Sequence, residues 1–174
     1  MRMAQALELT FDRRADETIR AQWDALRAAG LPSMARHTAP TNRPHITLDA
    51  REAVAPEAEA LLGPVALRLP IEALVGAPLL FHARRRWVLT RHVVMDRALL
   101  ELHAHALALL GPEPDSLTSP GRWVPHVTLA RGVSDEQLPA ALKLVSTAQP
   151  VRAVALRLRR WDSEAARAWD VEPD

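Results

Sequence analysis

The segment Arg43-Pro44-His45-Ile46-Thr47-Leu48 returns later as Val124-Pro125-His126-Val127-Thr128-Leu129. No other feature of the chain constrains its fold as much. Both copies are rich in β-branched residues and open on proline, so both read as short strands. Side chains alternate faces along a strand, which places His45 with Thr47 on one face and His126 with Thr128 on one face. Each strand therefore offers an imidazole beside a hydroxyl.

The surroundings of the two segments repeat as well. Ala6 to Phe11 alternates as a strand, with Leu7, Leu9 and Phe11 on one side. Asp12 to Ala29 is helical, with acidic residues in the first turn, a stripe of Ile19, Trp23 and Leu26, and Gly30 as its stop. A Pro-dotted loop, Leu31 to Asn42, leads to the first His/Thr strand at Arg43 to Asp49. A short helix at Pro56 to Leu62 and a strand at Val65 to Leu74 follow. The second pass has a strand at Arg86 to Val94 and a helix from Asp96 to Leu110 that stops at Gly111-Pro112. The loop Pro112 to Arg122 then precedes the second His/Thr strand, Trp123 to Arg131. A helix from Ser134 to Thr147 opens on a Ser-x-x-Gln capping box with Gln137. Strands at Val151 to Trp161 and Arg167 to Val171 close the chain. His45 and His126 stand 81 positions apart, and Asp16 and Asp96 stand 80 apart. A repeated element order predicts two similar lobes about a pseudo-two-fold axis, with the His/Thr strands meeting at that axis. The expected organisation is one domain over residues 1–174, with an internal repeat roughly at 5–75 and 86–161.

Composition narrows the class. A chain of 174 residues, 48% hydrophobic and 25% charged, is long enough to bury one sizeable core. It has no cysteine, which excludes disulfides and thiolate chemistry. Met1 to Phe11 is interrupted by Glu8 and does not read as a signal peptide, and no stretch approaches a membrane span. A cytoplasmic protein, monomeric and without a membrane partner, is expected. The net charge of +1 points to no dedicated nucleic-acid-binding surface. Lys143 is the single lysine among 22 basic residues, a bias that fits GC-rich coding better than it fits function.

Two histidines facing one cleft suit in-line attack at phosphorus. Imidazole titrates near neutrality, so one ring accepts the proton of the attacking hydroxyl or water while the other protonates the departing oxygen. Threonine hydroxyls on the same faces can hydrogen-bond the phosphate oxygens as their charge grows. This scheme needs neither a metal nor a cofactor.

The paired His-x-Thr motifs resemble the 2H phosphoesterase superfamily, in particular its bacterial 2′-5′ RNA ligase and RNA 2′,3′-cyclic phosphodiesterase branch. The resemblance implies an α+β bilobal fold with a central cleft. It further implies metal-independent opening of 2′,3′-cyclic or 2′-5′ phosphodiesters, with RNA joining as the reverse of the same chemistry. It maps His45 and His126 onto the catalytic positions, leaning to His45 as acid and His126 as base, and Thr47 and Thr128 onto phosphate-binding positions. The implied partner is an RNA end or a small nucleotide. Members of the family often carry basic residues near the motifs, and here Arg43, Arg51 and Arg131 are the local candidates. Arg43 and Arg51 share the parity of His45; Arg131 has the wrong parity relative to His126, and only a bulge would bring it round. Trp123 and Phe81 are candidate base-stacking residues, although core packing is the better expectation for both. The alternative reading is a nucleotide- or RNA-end-binding module that uses the same cleft without turnover.

Other features are weaker. His103 and His105 lie about 200° apart on a helix, the wrong arrangement for a metal pair. His37 belongs to a loop. Thr90 and His92 mirror the motif in reverse order, but nothing repeats them. Arg84-Arg85-Arg86 reads as an ordinary charged turn before a strand, in preference to a device that steers a polyanion towards the cleft.

Overall fold

The computed structural model describes residues 5–113, 116–146 and 148–173. Its elements follow the expected double pass: β1 (Gln5–Phe11), α1 (Arg13–Ala28), β2 (His45–Arg51), the short α2 (Pro56–Glu59) and α3 (Gly63–Ala66), and β3 (Ile71–Ala83). The second pass comprises β4 (Arg86–Val93), α4 (Arg97–Leu110), β5 (His126–Val133), α5 (Leu138–Ser146), β6 (Val151–Asp162) and β7 (Arg167–Asp170). The helix end expected at Thr147 lies outside the described residues, as does part of the Pro112–Arg122 loop. One expected element is corrected. Val65 and Ala66 belong to α3, not to a strand, because Gly63-Pro64 starts a new helical turn; β3 begins at Ile71, after Pro70, and runs to Ala83.

All strand pairs are antiparallel, in the order β2-β1-β6-β3-β4-β5, with β7 on β6. The order is a palindrome under exchange of the two passes. Each lobe contains the first two strands of one pass and the last strand of the other, so β6 and β3 are swapped and form the central seam. Helices follow the same exchange: α1 packs against β5 and α4 against β2.

Local sequence explains the two long helices. Asp12 caps α1 by accepting from Ala15 N at 3.1 Å, and its other carboxylate oxygen accepts from Val154 N at 2.7 Å, pinning the helix start to β6. Ala15, Ile19, Trp23 and Leu26 form the buried stripe. Asp96 caps α4 in the same way through Leu99 N, and Gly111, at φ 75°, ends it in a conformation that favours glycine. The capping box at Ser134 also forms, with Ser134 Oγ accepting from Gln137 N and Gln137 Oε1 accepting from Ser134 N. The apolar face of the sheet contributes Leu7, Leu9, Ile46, Leu89 and Val127 to one continuous core. The opposite face is the polar one.

Candidate functional site

Strand register decides which side chains share the polar face. Thr10 is opposite His45 and Glu8 opposite Thr47 in one lobe; His92 is opposite His126 and Thr90 opposite Thr128 in the other. β2 and β5 are the two ends of the sheet, and its curvature brings them close to each other. Edge strands carry carbonyls without a ladder partner. Here indoles serve them: Trp123 Nε1–H donates to the Thr47 carbonyl at 2.9 Å, and Trp23 Nε1–H donates to the Thr128 carbonyl at 3.0 Å. Each motif strand is thus held by a tryptophan at the carbonyl of its own motif threonine.

The two histidines are set identically. Nδ1 of His45 lies 2.7 Å from the Arg43 carbonyl and Nδ1 of His126 lies 2.7 Å from the Val124 carbonyl. A carbonyl only accepts, so Nδ1 carries the proton in both rings and Nε2 is the nitrogen left for chemistry. Their environments then diverge. Nε2 of His45 lies 3.4 Å from Oε1 of Glu8, whose other oxygen is held by Arg159 at 2.5 Å. Glu8 is 4% exposed and Arg159 6%, so the pair is a buried one beneath the site. Burial pushes His126 below the ordinary imidazole value; the Val124 carbonyl partly offsets this, while the charges of Arg131 and His45 add to it. The protonated form of His45 faces a carboxylate, and that of His126 faces cations.

A bulge brings Arg131 round. The register shifts between Leu89 and Thr90, so that Thr90 pairs with Thr128 but Leu89 pairs with Ala130, leaving Leu129 as the extra residue. Arg131 then lies opposite Val88, on the face of Thr90 and Thr128. Phe81 lies opposite Val88 on the other side, and its half-buried ring is 4.8 Å from that of His126. It is therefore a wall of the cleft, where core packing had been expected. The equivalent bulge in β2, at Leu48, turns Arg51 away from the cleft. Arg51 is neither a cleft residue nor a solvated one: it is buried, bonded to Asp49 at 2.5 Å and to the Leu110 and Gly111 carbonyls at the end of α4. Arg43 rests on Asp16, at 3.4 Å. Trp123 is in the core, its ring stacked 3.8 Å from that of His103, so the expectation that it packs inside describes it better than a stacking role. His103 in turn donates through Nε2–H to the Thr118 carbonyl, since a carbonyl only accepts. The reversed pair is placed beside the second motif: Thr90 is buried, bonded to the Leu79 carbonyl, and the His92 ring covers Gly76, where no other residue leaves it room.

Glu8 was invisible as a site residue although its signal was present. Leu7, Leu9 and Phe11 alternate with Glu8 and Thr10, which puts a carboxylate on the same face of β1 as the motif residues of its neighbour. Among the described residues, no group of three or more His, Cys, Asp or Glu is arranged to hold a metal. A recess of about 210 Å³ lined by residues such as Glu72, Asp96 and Arg152 contains none of the four motif residues.

Over residues 15–167 the chain matches the family model of the 2′-5′ RNA ligase superfamily. Among solved structures it resembles apo LigT of E. coli, at 18% identity and TM-score 0.52, with 97% of this chain and 92% of that one covered. LigT complexed with NADP+ gives 18% identity and TM-score 0.55, covering 97% and 94%. Usb1 of Kluyveromyces marxianus with uridine monophosphate gives 12% identity and TM-score 0.50, each chain covered to 98%. No curated protein matches by sequence.

Proposed function

The chain belongs to the 2′-5′ RNA ligase superfamily, and on that premise we propose that it is a two-histidine phosphodiesterase that opens 2′,3′-cyclic phosphates or related 2′-5′ linkages at nucleotide ends. The observation that carries this reading is the matched pair of rings. Both present Nε2 with Nδ1–H fixed on a carbonyl, yet one has a carboxylate beside it and the other has cations.

In the proposed reaction, water lies against Nε2 of neutral His126, which takes its proton as the oxygen attacks phosphorus. Nε2–H of His45 faces the departing ribose oxygen and delivers its proton as the P–O bond breaks. Charge accumulates on the non-bridging oxygens, which the Thr47 and Thr128 hydroxyls and the Arg131 guanidinium receive. The ring of Phe81, against His126, offers a stacking surface to the base. LigT structures with 3′-AMP and NADP+, and Usb1 with uridine monophosphate, hold nucleotides, which supports that class of ligand here.

Turnover of 2′,3′-cyclic nucleotides in EDTA by wild type, His45→Ala and His126→Ala is the test. Each substitution is expected to lower kcat by about 10²- to 10⁴-fold. Activity that needs an added metal, or that survives both single changes, would overturn the mechanism. Nucleotide binding without turnover across a broad panel of phosphodiesters would favour a pure binding module instead.

A further inference from the structure

We propose that the β3–β4 hairpin is a docking surface for the polynucleotide strand that continues from the reacting end, which makes an RNA end, rather than a free mononucleotide, the preferred substrate. The proposal rests on the cleft being a phosphodiester site. Its starting point is an oddity in the turn. Ala83 pairs with Arg86, and the two residues between them, Arg84 and Arg85, have φ of 50° and 62°. Two-residue hairpin turns with both φ positive are normally Asn-Gly, because a larger side chain is strained in that region. Here both positions hold arginine, and both side chains are exposed. Strain retained at a surface turn calls for a use of the residues that cause it.

Position supplies the use. Phe81 stands on the same hairpin and packs on His126. Arg84 is three residues further along, about 10 Å at the rise of a strand. A strand whose last base lies on Phe81 and leaves the cleft along the hairpin brings its flanking phosphates to the turn. Arg131, opposite Val88, stands beside that path. The hairpin is also anchored: Trp87 Nε1–H donates to Asp135 at 2.6 Å, and the Trp87 ring packs edgewise on His82. Nearby acids answer only part of the charge. Glu136 lies in the field of Arg86, whereas among the described residues Arg84 and Arg85 form no ion pair. With a net charge of only +1 on the whole chain, such a local patch is what a polyanion would find.

The test uses Arg84→Asn with Arg85→Gly, the residues that the turn itself prefers, so folding is favoured and not threatened. Two measurements are made on the full chain. One is kcat/KM for a 2′,3′-cyclic mononucleotide and for an oligoribonucleotide of about ten bases ending in the same cyclic phosphate. The other is affinity of a labelled oligoribonucleotide for His126→Ala, with and without the turn change, across a salt series. The expected result is about a tenfold loss on the oligonucleotide, an unchanged mononucleotide rate, and a salt slope shallower by about 1.4, since each phosphate contact on a single strand contributes about 0.7. Equal losses on both substrates, or no loss on either, would overturn the proposal. So would polyglutamate of matched charge competing as well as the oligonucleotide, which would point to an acidic protein. Wild type turning over neither substrate would sink the cleft reading, while the binding comparison would still decide the hairpin.

Discussion

Glu8 puts a carboxylate in one half-site where the other has a hydroxyl. Opposite Thr47 the polar face carries Glu8, and opposite Thr128 it carries Thr90. A motif pair that is symmetric in sequence thereby acquires an ion partner on one side only. Glu8 has two tasks: Oε2 neutralises buried Arg159, and Oε1 faces His45. These tasks separate experimentally. Glu8→Gln leaves Arg159 buried without its counter-ion, which is expected to cost about 3 kcal/mol by urea denaturation. The double change Glu8→Leu with Arg159→Leu removes both charges and is expected to recover stability to within about 1 kcal/mol of wild type. Turnover of a cyclic nucleotide is expected to fall about tenfold in both variants, with KM little altered, because His45 loses its carboxylate in each. If activity returned along with stability in the double variant, Glu8 would be a support for Arg159 and nothing more.

At the scale of the element, the strand bulges matter most, and they account for much of what the sequence could and could not say. Alternation along Arg43–Leu48 and Val124–Leu129 was enough to put each histidine beside its threonine, since two residues span no irregularity. Counting further along the same strands failed, because Leu48 and Leu129 are extra residues that invert the parity beyond them. Arg51 and Arg131 therefore exchange roles: the one with the right parity turns into the core, and the one with the wrong parity arrives at the cleft. Nothing local marks a bulge at leucine, so the signal was absent. The Val65–Leu74 strand holds only from Ile71 onward, because Gly63-Pro64 starts a helical turn that takes in Val65 and Ala66, and a short apolar run does not separate strand from helix. Arg131 in its bulged place has a consequence for pH. Its charge adds to burial in holding His126 below the ordinary value of 6.5. Arg131→Gln removes that contribution, so His126 is protonated at higher pH and the neutral base is lost sooner on acidification. In kcat/KM against pH for a cyclic mononucleotide, the acid limb is expected to move upward while the alkaline limb stays. An acid limb that does not move, or moves down, would place Arg131 outside the field of the base.

The whole molecule depends on exchange between its two passes. The swapped central strands, the crossed packing of α1 and α4, and the two indole bonds mean that neither motif strand is held by its own half alone. His103 sits at the heart of one of these crossings, 3% exposed, stacked on Trp123 and bonded to the Thr118 carbonyl. Burial is the main reason its pKa lies below the ordinary 6.5, and its carbonyl bond only partly offsets this. The same direction holds for His126. A depressed histidine works against the fold in acid. Above the unfolded-state value both states are neutral and nothing is lost; as pH falls through about 6.5 the unfolded chain takes up protons that the folded chain refuses, and stability declines. The slope is at most about 1.4 kcal/mol per pH unit for each such ring. Urea unfolding between pH 8 and pH 5.5 is therefore expected to show a falling free energy, before most carboxylates titrate. His103→Phe keeps a flat ring against Trp123 and removes the titrating group, so its curve is expected to be flatter over that interval even if its stability at pH 8 is lower. A variant whose curve runs parallel to wild type would mean that His103 takes up its proton equally in the folded and unfolded chain and contributes nothing to the acid loss.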